Sequence, residues 1–129
     1  LNLNHNLIED ISDFDGSKTL EILEMRGNQI RDVSTLSHLP KLRELYLADN
    51  KLEEVTGLKL MDELVKLHLR KNKISKLEGL PGLPNLKYIN LRENSVTKLD
   101  QLRPINEKVQ ILNLIGNPLS EELGDNTRK

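Results

Sequence analysis

The chain has 129 residues, 19 of them basic and 20 acidic, for a net charge of −1 at neutral pH. That length suits one domain, and the balanced charge removes the electrostatic case for nucleic acid or an acidic membrane surface, which a basic patch would make. Cysteine is absent, which excludes disulfides and thiolate metal sites, and no apolar run approaches the roughly 20 residues a membrane span needs.

The first unit, residues 1–8, is a partial copy of a pattern that returns in full at 20–30, 42–52, 64–74, 86–96 and 109–119. In the 42–52 copy, Leu42 leads, Leu45 and Leu47 alternate, Asn50 follows and Leu52 closes. Alternation with a period of two is the mark of a half-buried strand. The opening column reads Leu20, Leu42, Leu64, Leu86 and Val109. The next two read Leu23, Leu45, Leu67, Ile89, Leu112 and Met25, Leu47, Leu69, Leu91, Leu114. The asparagines Asn6, Asn28, Asn50, Asn72, Asn94 and Asn117 are spaced by 22 residues four times and by 23 once. A fixed period of this length means stacked units, each too small to bury its own apolar face.

Beyond each asparagine the apolar spacing widens from two to three, as in Ile30, Val33, Leu36, Leu39 and in Ile74, Leu77, Leu80, Leu83. A period of three predicts a short 3₁₀ turn or ragged helix, which Pro40 and Pro84 then close. Each unit is therefore expected to be a short strand, a turn and a tight return leg, with all strands in one parallel sheet on the inside of an arc. The units run 1–19, 20–41, 42–63, 64–85, 86–108 and 109–119. At the end, Ser120 with Glu121 and Glu122 reads as a helix N-cap with acids in its first turn, so 120–129 is expected to start a C-terminal cap. Solenoids need polar caps at both ends, and the chain opens on Leu1 inside a repeat; the expectation is a piece of a longer protein.

The asparagine column is expected to be structural. Its amides can pair with backbone groups left over between adjacent repeats, where an unsatisfied buried group costs roughly 1–3 kcal/mol. The sequence makes no case for catalysis. His5, His38 and His68 lie in different repeats, so no preassembled metal pair exists. No G-x-S-x-G or glycine-rich phosphate loop occurs, and Gly27, Gly57, Gly79 and Gly116 read as isolated turn residues. No enzyme activity, cofactor, metal or small-molecule substrate is expected.

If the leucine columns point inward, the residues between them line the concave sheet. The middle column is Asn2, Glu24, Tyr46, His68, Asn90, Asn113, flanked by Ile22, Glu44, Lys66, Tyr88, Ile111 and by Asn4, Arg26, Ala48, Arg70, Arg92, Ile115. Both tyrosines of the chain fall on this face, with three arginines in one column that Ala48 interrupts. Tyrosine and arginine are enriched at binding hot spots. The candidate protein-binding residues are thus Glu24, Arg26, Glu44, Tyr46, Lys66, His68, Arg70, Tyr88, Asn90 and Arg92. The competing reading is that the aromatic residues only pack across neighbouring strands. Six strands at about 4.8 Å span roughly 24 Å, a projected patch on the order of 300 Å². A stable interface wants about 800 Å² per partner, so further surface is expected to contribute.

The string L-x-x-L-x-L-x-x-N-x-L resembles the leucine-rich repeat, and the 22-residue spacing with Leu-Pro at the repeat end is similar to the class found in phosphatase-1 regulatory subunits, dynein light chains and a spliceosomal adaptor. The resemblance implies an α/β solenoid of about six repeats, with a concave parallel sheet and short 3₁₀, helical or irregular convex legs. Secreted domains of this kind usually carry cysteine-rich caps, so the lack of cysteine favours an intracellular protein. The runs 24–29, 39–51, 67–70 and 88–92, at positions outside the repeat consensus, resemble the family of leucine-rich repeat-containing protein 23, a radial-spoke component of motile cilia. That resemblance implies a non-enzymatic scaffold of the axoneme, within the cytoskeleton of a cilium or flagellum, whose partners are other spoke proteins. The alternative is a regulatory binding subunit such as a phosphatase-1 regulator or dynein-associated light chain.

Overall fold

In a computed structural model of the chain, residues 1–12, 14, 18–34, 36, 39–55, 58, 61–77, 83–98 and 109–119 are described. The alternating leucines form five three-residue strands: β1 (Ile22–Glu24), β2 (Glu44–Tyr46), β3 (Lys66–His68), β4 (Tyr88–Asn90) and β5 (Ile111–Asn113). They pair in chain order as one parallel sheet. The register follows the repeat, with Leu23, Leu45, Leu67, Ile89 and Leu112 side by side. The first copy joins through a single bridge, Asn2 beside Glu24, held by Leu3 N–H to Glu24 O and Glu24 N–H to Leu1 O.

Leu23, Leu45, Leu67 and Ile89 are buried to 1% exposure or less, and their strand neighbours on either side are not. The leucines therefore point into the core, as a two-residue period demands. Met25, Leu47, Leu69 and Leu91 form a second buried row. The return legs supply the opposite wall through Ile30, Val33, Leu36 and Leu39, then Leu52, Val55, Leu58 and Met61, then Ile74, Leu77 and Leu83. Removing most of a buried leucine here, as in Leu67→Ala, costs about 2–5 kcal/mol.

The period of three in the legs is the spacing of their hydrogen bonds. Leu36 N–H bonds Val33 O at 3.0 Å, Leu39 N–H bonds Leu36 O at 3.1 Å, and Leu42 N–H bonds Leu39 O at 3.3 Å. The last of these brackets Pro40 as the second residue of a turn, where its fixed φ belongs. Pro84 holds the same place between Leu83 and Leu86. Asp62 takes it between Met61 and Leu64, so proline reinforces the turn without being needed for it. His38, Leu80, Gly57, Gly79 and the expected cap at 120–129 lie outside the described residues.

Candidate functional site

Two columns of polar residues run across the repeats, one inside and one on the concave face. The inner one is the asparagine ladder. Asn72 Nδ2 donates to Leu69 O at 3.0 Å in its own repeat and to Leu47 O at 2.9 Å in the preceding one. Its Oδ1 accepts from Leu52 N–H at 3.1 Å. Asn50 and Asn94 repeat this pattern, and Asn28 does so toward Leu3, Met25 and Ile8. Asn117 bonds Leu91 O and Val96 N–H, each one residue further back in sequence, which absorbs the single 23-residue spacing without loss of a bond. Asn28, Asn50, Asn72, Asn94 and Asn117 are buried. Asn6 is exposed and bonds only Leu3 O and Asn4 O of its own repeat, so it carries half of the ladder's pattern.

A second regularity sits one residue earlier. His5, Gly27, Asp49, Lys71, Glu93 and Gly116 all have positive φ, between 56° and 82°. This left-handed step turns the chain out of the strand while its N–H still bonds the next repeat: Asp49 N–H to Arg70 O at 2.7 Å, Lys71 N–H to Arg92 O at 3.0 Å. Only two of the six are glycine, so composition conceals the column. The isolated glycines Gly27 and Gly116 are two visible members of it.

The concave face carries the expected residues in the expected order. Glu44, Lys66 and Tyr88 are adjacent across β2, β3 and β4, and Tyr46, His68 and Asn90 lie adjacent one row over. All six are half-buried. Tyr46 is the hub. Arg26 lies over its ring at 4.8 Å to the centroid, His68 packs beside it at 5.2 Å, and its hydroxyl donates to Glu44 Oε1 at 2.5 Å. Burial, then the bond to the Glu44 carboxylate, pushes the Tyr46 hydroxyl up to about 12. Burial, with the Arg26 and Lys66 cations beside it, holds His68 below the usual imidazole range. Lys66 sits over the Tyr88 ring at 5.6 Å. The tyrosines therefore do pack across strands, and they remain partly open from the concave side.

The arginine column is less uniform. Arg26 pairs with Glu24 at 3.3 Å and Arg70 with Glu93 at 3.1 Å. The Arg70 hydrogen bond holds the Glu93 carboxyl below its usual range. Arg92 Nε is buried with no hydrogen-bond partner among the described residues. At the β5 end of the face, Ile111 and Ile115 are 56% and 40% exposed. Sequence reasoning placed both on this face but left them out of the candidate set, although two solvent-facing isoleucines beside Tyr88 were a readable signal. Among the described residues, no group of three or more His, Asp or Glu side chains could hold a metal ion, and no helix is long and apolar enough to cross a membrane.

The comparisons with known proteins agree on the architecture. A family model described as leucine-rich repeats (2 copies) matches residues 18–60 and 62–107. An internalin from Listeria monocytogenes superposes with a TM-score of 0.80 at 28% identity, over 90% of this chain and 34% of its own length. An internalin C2 from the same organism gives 0.76 at 29% identity, over 88% of this chain and 50% of its own. The chain thus spans half or less of the length of these two solved structures. No curated protein sequence matches it.

Proposed function

Since the chain belongs to the leucine-rich-repeat family, we propose that it is a non-enzymatic protein-binding scaffold whose partner docks on the concave face, centred on Tyr46, His68, Arg70 and Tyr88. Repeats of this family generally act as protein-interaction modules. The observation that carries the choice of face is the Tyr46 hub: a half-buried aromatic ring locked between Arg26, His68 and Glu44. A side chain already immobilised loses little entropy on binding, which is what a hot-spot anchor requires. The finer assignment is to the radial spoke of the ciliary axoneme, with other spoke proteins as partners. Its support is the set of non-consensus runs at 24–29, 39–51, 67–70 and 88–92, and it stands or falls with where the protein resides.

The test is affinity purification of the tagged protein, wild type against Tyr46→Ala/Tyr88→Ala, with partners identified and both proteins' thermal stability measured. Loss of a defined partner with Tm lowered by no more than a few degrees is the expected result. Unchanged recovery overturns the choice of face, and a partner set without axonemal proteins overturns the ciliary assignment.

A further inference from the structure

The arginine column of the concave face reads Arg26, Ala48, Arg70 across three neighbouring strands, and the alanine leaves a gap between two guanidinium-bearing side chains. The gap belongs to a depression of about 340 Å³ whose lining includes His5, Arg26, Ala48, Asp49, Arg70 and Lys71. The flanking arginines stand two strands apart, roughly 10 Å at the backbone, so one anionic group can reach both.

Both arginines make their internal contacts outside the gap. Arg26 rests on the Tyr46 ring and spends one nitrogen on Glu24. Arg70 spends its Nε on Glu93. A guanidinium has five N–H donors, so each retains several for an incoming acceptor. Both internal pairs are solvent-exposed, and such pairs hold weakly in water. Arg26, Arg70 and Lys71 line the gap with one acid, Asp49, while Glu24 and Glu93, the partners of the two arginines, are not among the lining residues. The phenol of Tyr46 is turned to Glu44 and does not compete for an anion.

We propose that this notch receives the carboxylate of a glutamate or aspartate from an extended acidic segment of the partner protein, with Arg26 and Arg70 donating from either side and Lys71 adding charge. The assignment rests on the concave-face reading and names the chemistry the partner brings to it. Once the partner covers the face, water leaves and the charge-assisted bonds strengthen.

The test uses the full chain, labelled with ¹⁵N and titrated with the blocked peptide Ac-Ala-Glu-Glu-Ala-NH₂, with the Gln-Gln peptide as control and inorganic phosphate as a third probe. The Glu peptide should move the amide signals of Ala48, Asp49, Arg70 and Lys71, and the Gln peptide should not. Ala48→Leu, which fills the notch without adding charge, should abolish the shifts. Arg70→Gln should weaken the effect at least tenfold, and so decides the matter if the filled variant misfolds. Equal shifts with the Gln peptide, or shifts scattered over the surface, overturn the proposal. Phosphate acting as strongly as the Glu peptide overturns the assignment to an acidic peptide. With the purified partner, loss of binding in Tyr46→Ala/Tyr88→Ala but not in Ala48→Leu overturns the notch and leaves the face. If neither variant releases the partner, the face fails and the docking of the partner's acidic segment in the notch fails with it.

Discussion

Replacing Asn72 by leucine tests how the repeats are held to one another. The side chain makes four hydrogen bonds, but they are not equal in consequence. Leu47 O also accepts from Asn50 and Leu69 O also accepts from Asn94, so each of these carbonyls keeps one partner after the change. Arg70 O, at 3.4 Å, is a marginal contact and is already bonded by Asp49 N–H. Leu52 N–H has Asn72 Oδ1 as its partner, and Leu52 is fully buried, so this donor is orphaned. One orphaned buried donor costs about 1–3 kcal/mol, and two thinned carbonyls add about 0.5–1 kcal/mol together. The expected loss is therefore about 1.5–4 kcal/mol, read as a lower urea midpoint with an unchanged slope. Asn6→Leu is the internal control. Asn6 is exposed and bonds only its own repeat, so its loss should stay within about 0.5–1 kcal/mol. Equal costs at the two positions would refute the ladder's role in joining repeats.

Four further outcomes follow from the same geometry. Lys71→Gly relieves a left-handed residue, worth about 1–2 kcal/mol, against the backbone entropy of glycine, about 0.5–1 kcal/mol; a net gain near 0.5–1 kcal/mol in chemical denaturation is expected. Gly27→Val should destabilise by at least that much, since φ is +67° and its Cβ would fall on the His5 ring. In Tyr88→Phe, spectrophotometric titration of the remaining tyrosine should place Tyr46 near 12 rather than 10, and a midpoint at the ordinary value would contradict its burial against Glu44. His68 has a folded-state pKa below its unfolded one, so the unfolded chain binds the proton first and stability falls as pH drops below about 6.5. Tm measured between pH 8 and 5 should decline more steeply for the wild type than for His68→Gln, and parallel curves would refute this.

The fold was legible because a single period governs everything buried. Once Leu45 and Leu47 alternate and Asn50 recurs at 22 residues, strand direction, register and the concave rows follow from geometry alone. The spacing of Val33, Leu36 and Leu39 anticipated the three-residue hydrogen bonds of the legs. The positive-φ column was not legible, because Asp49, Lys71 and Glu93 adopt a conformation that only glycine advertises. What the polar residues do to one another was equally hidden. Tyr46 could be placed on the face, but its bond to Glu44 and the stacking of Arg26 depend on rotamers that strand register leaves open. The interruption at Ala48 was visible in the column of arginines, but the depression it leaves and the pairing of Arg26 with Glu24 and Arg70 with Glu93 were not.

Photocrosslinking tests the concave-face account most directly. A benzophenone amino acid is placed in turn at Tyr88, on the concave face, and at Lys41, exposed in the turn after the second return leg. Each variant is irradiated with the partner identified by affinity purification. Crosslinking from position 88 and not from position 41 is the predicted result. Crosslinking from position 41 alone would mean that a surface away from the concave face holds the partner, and would contradict the account.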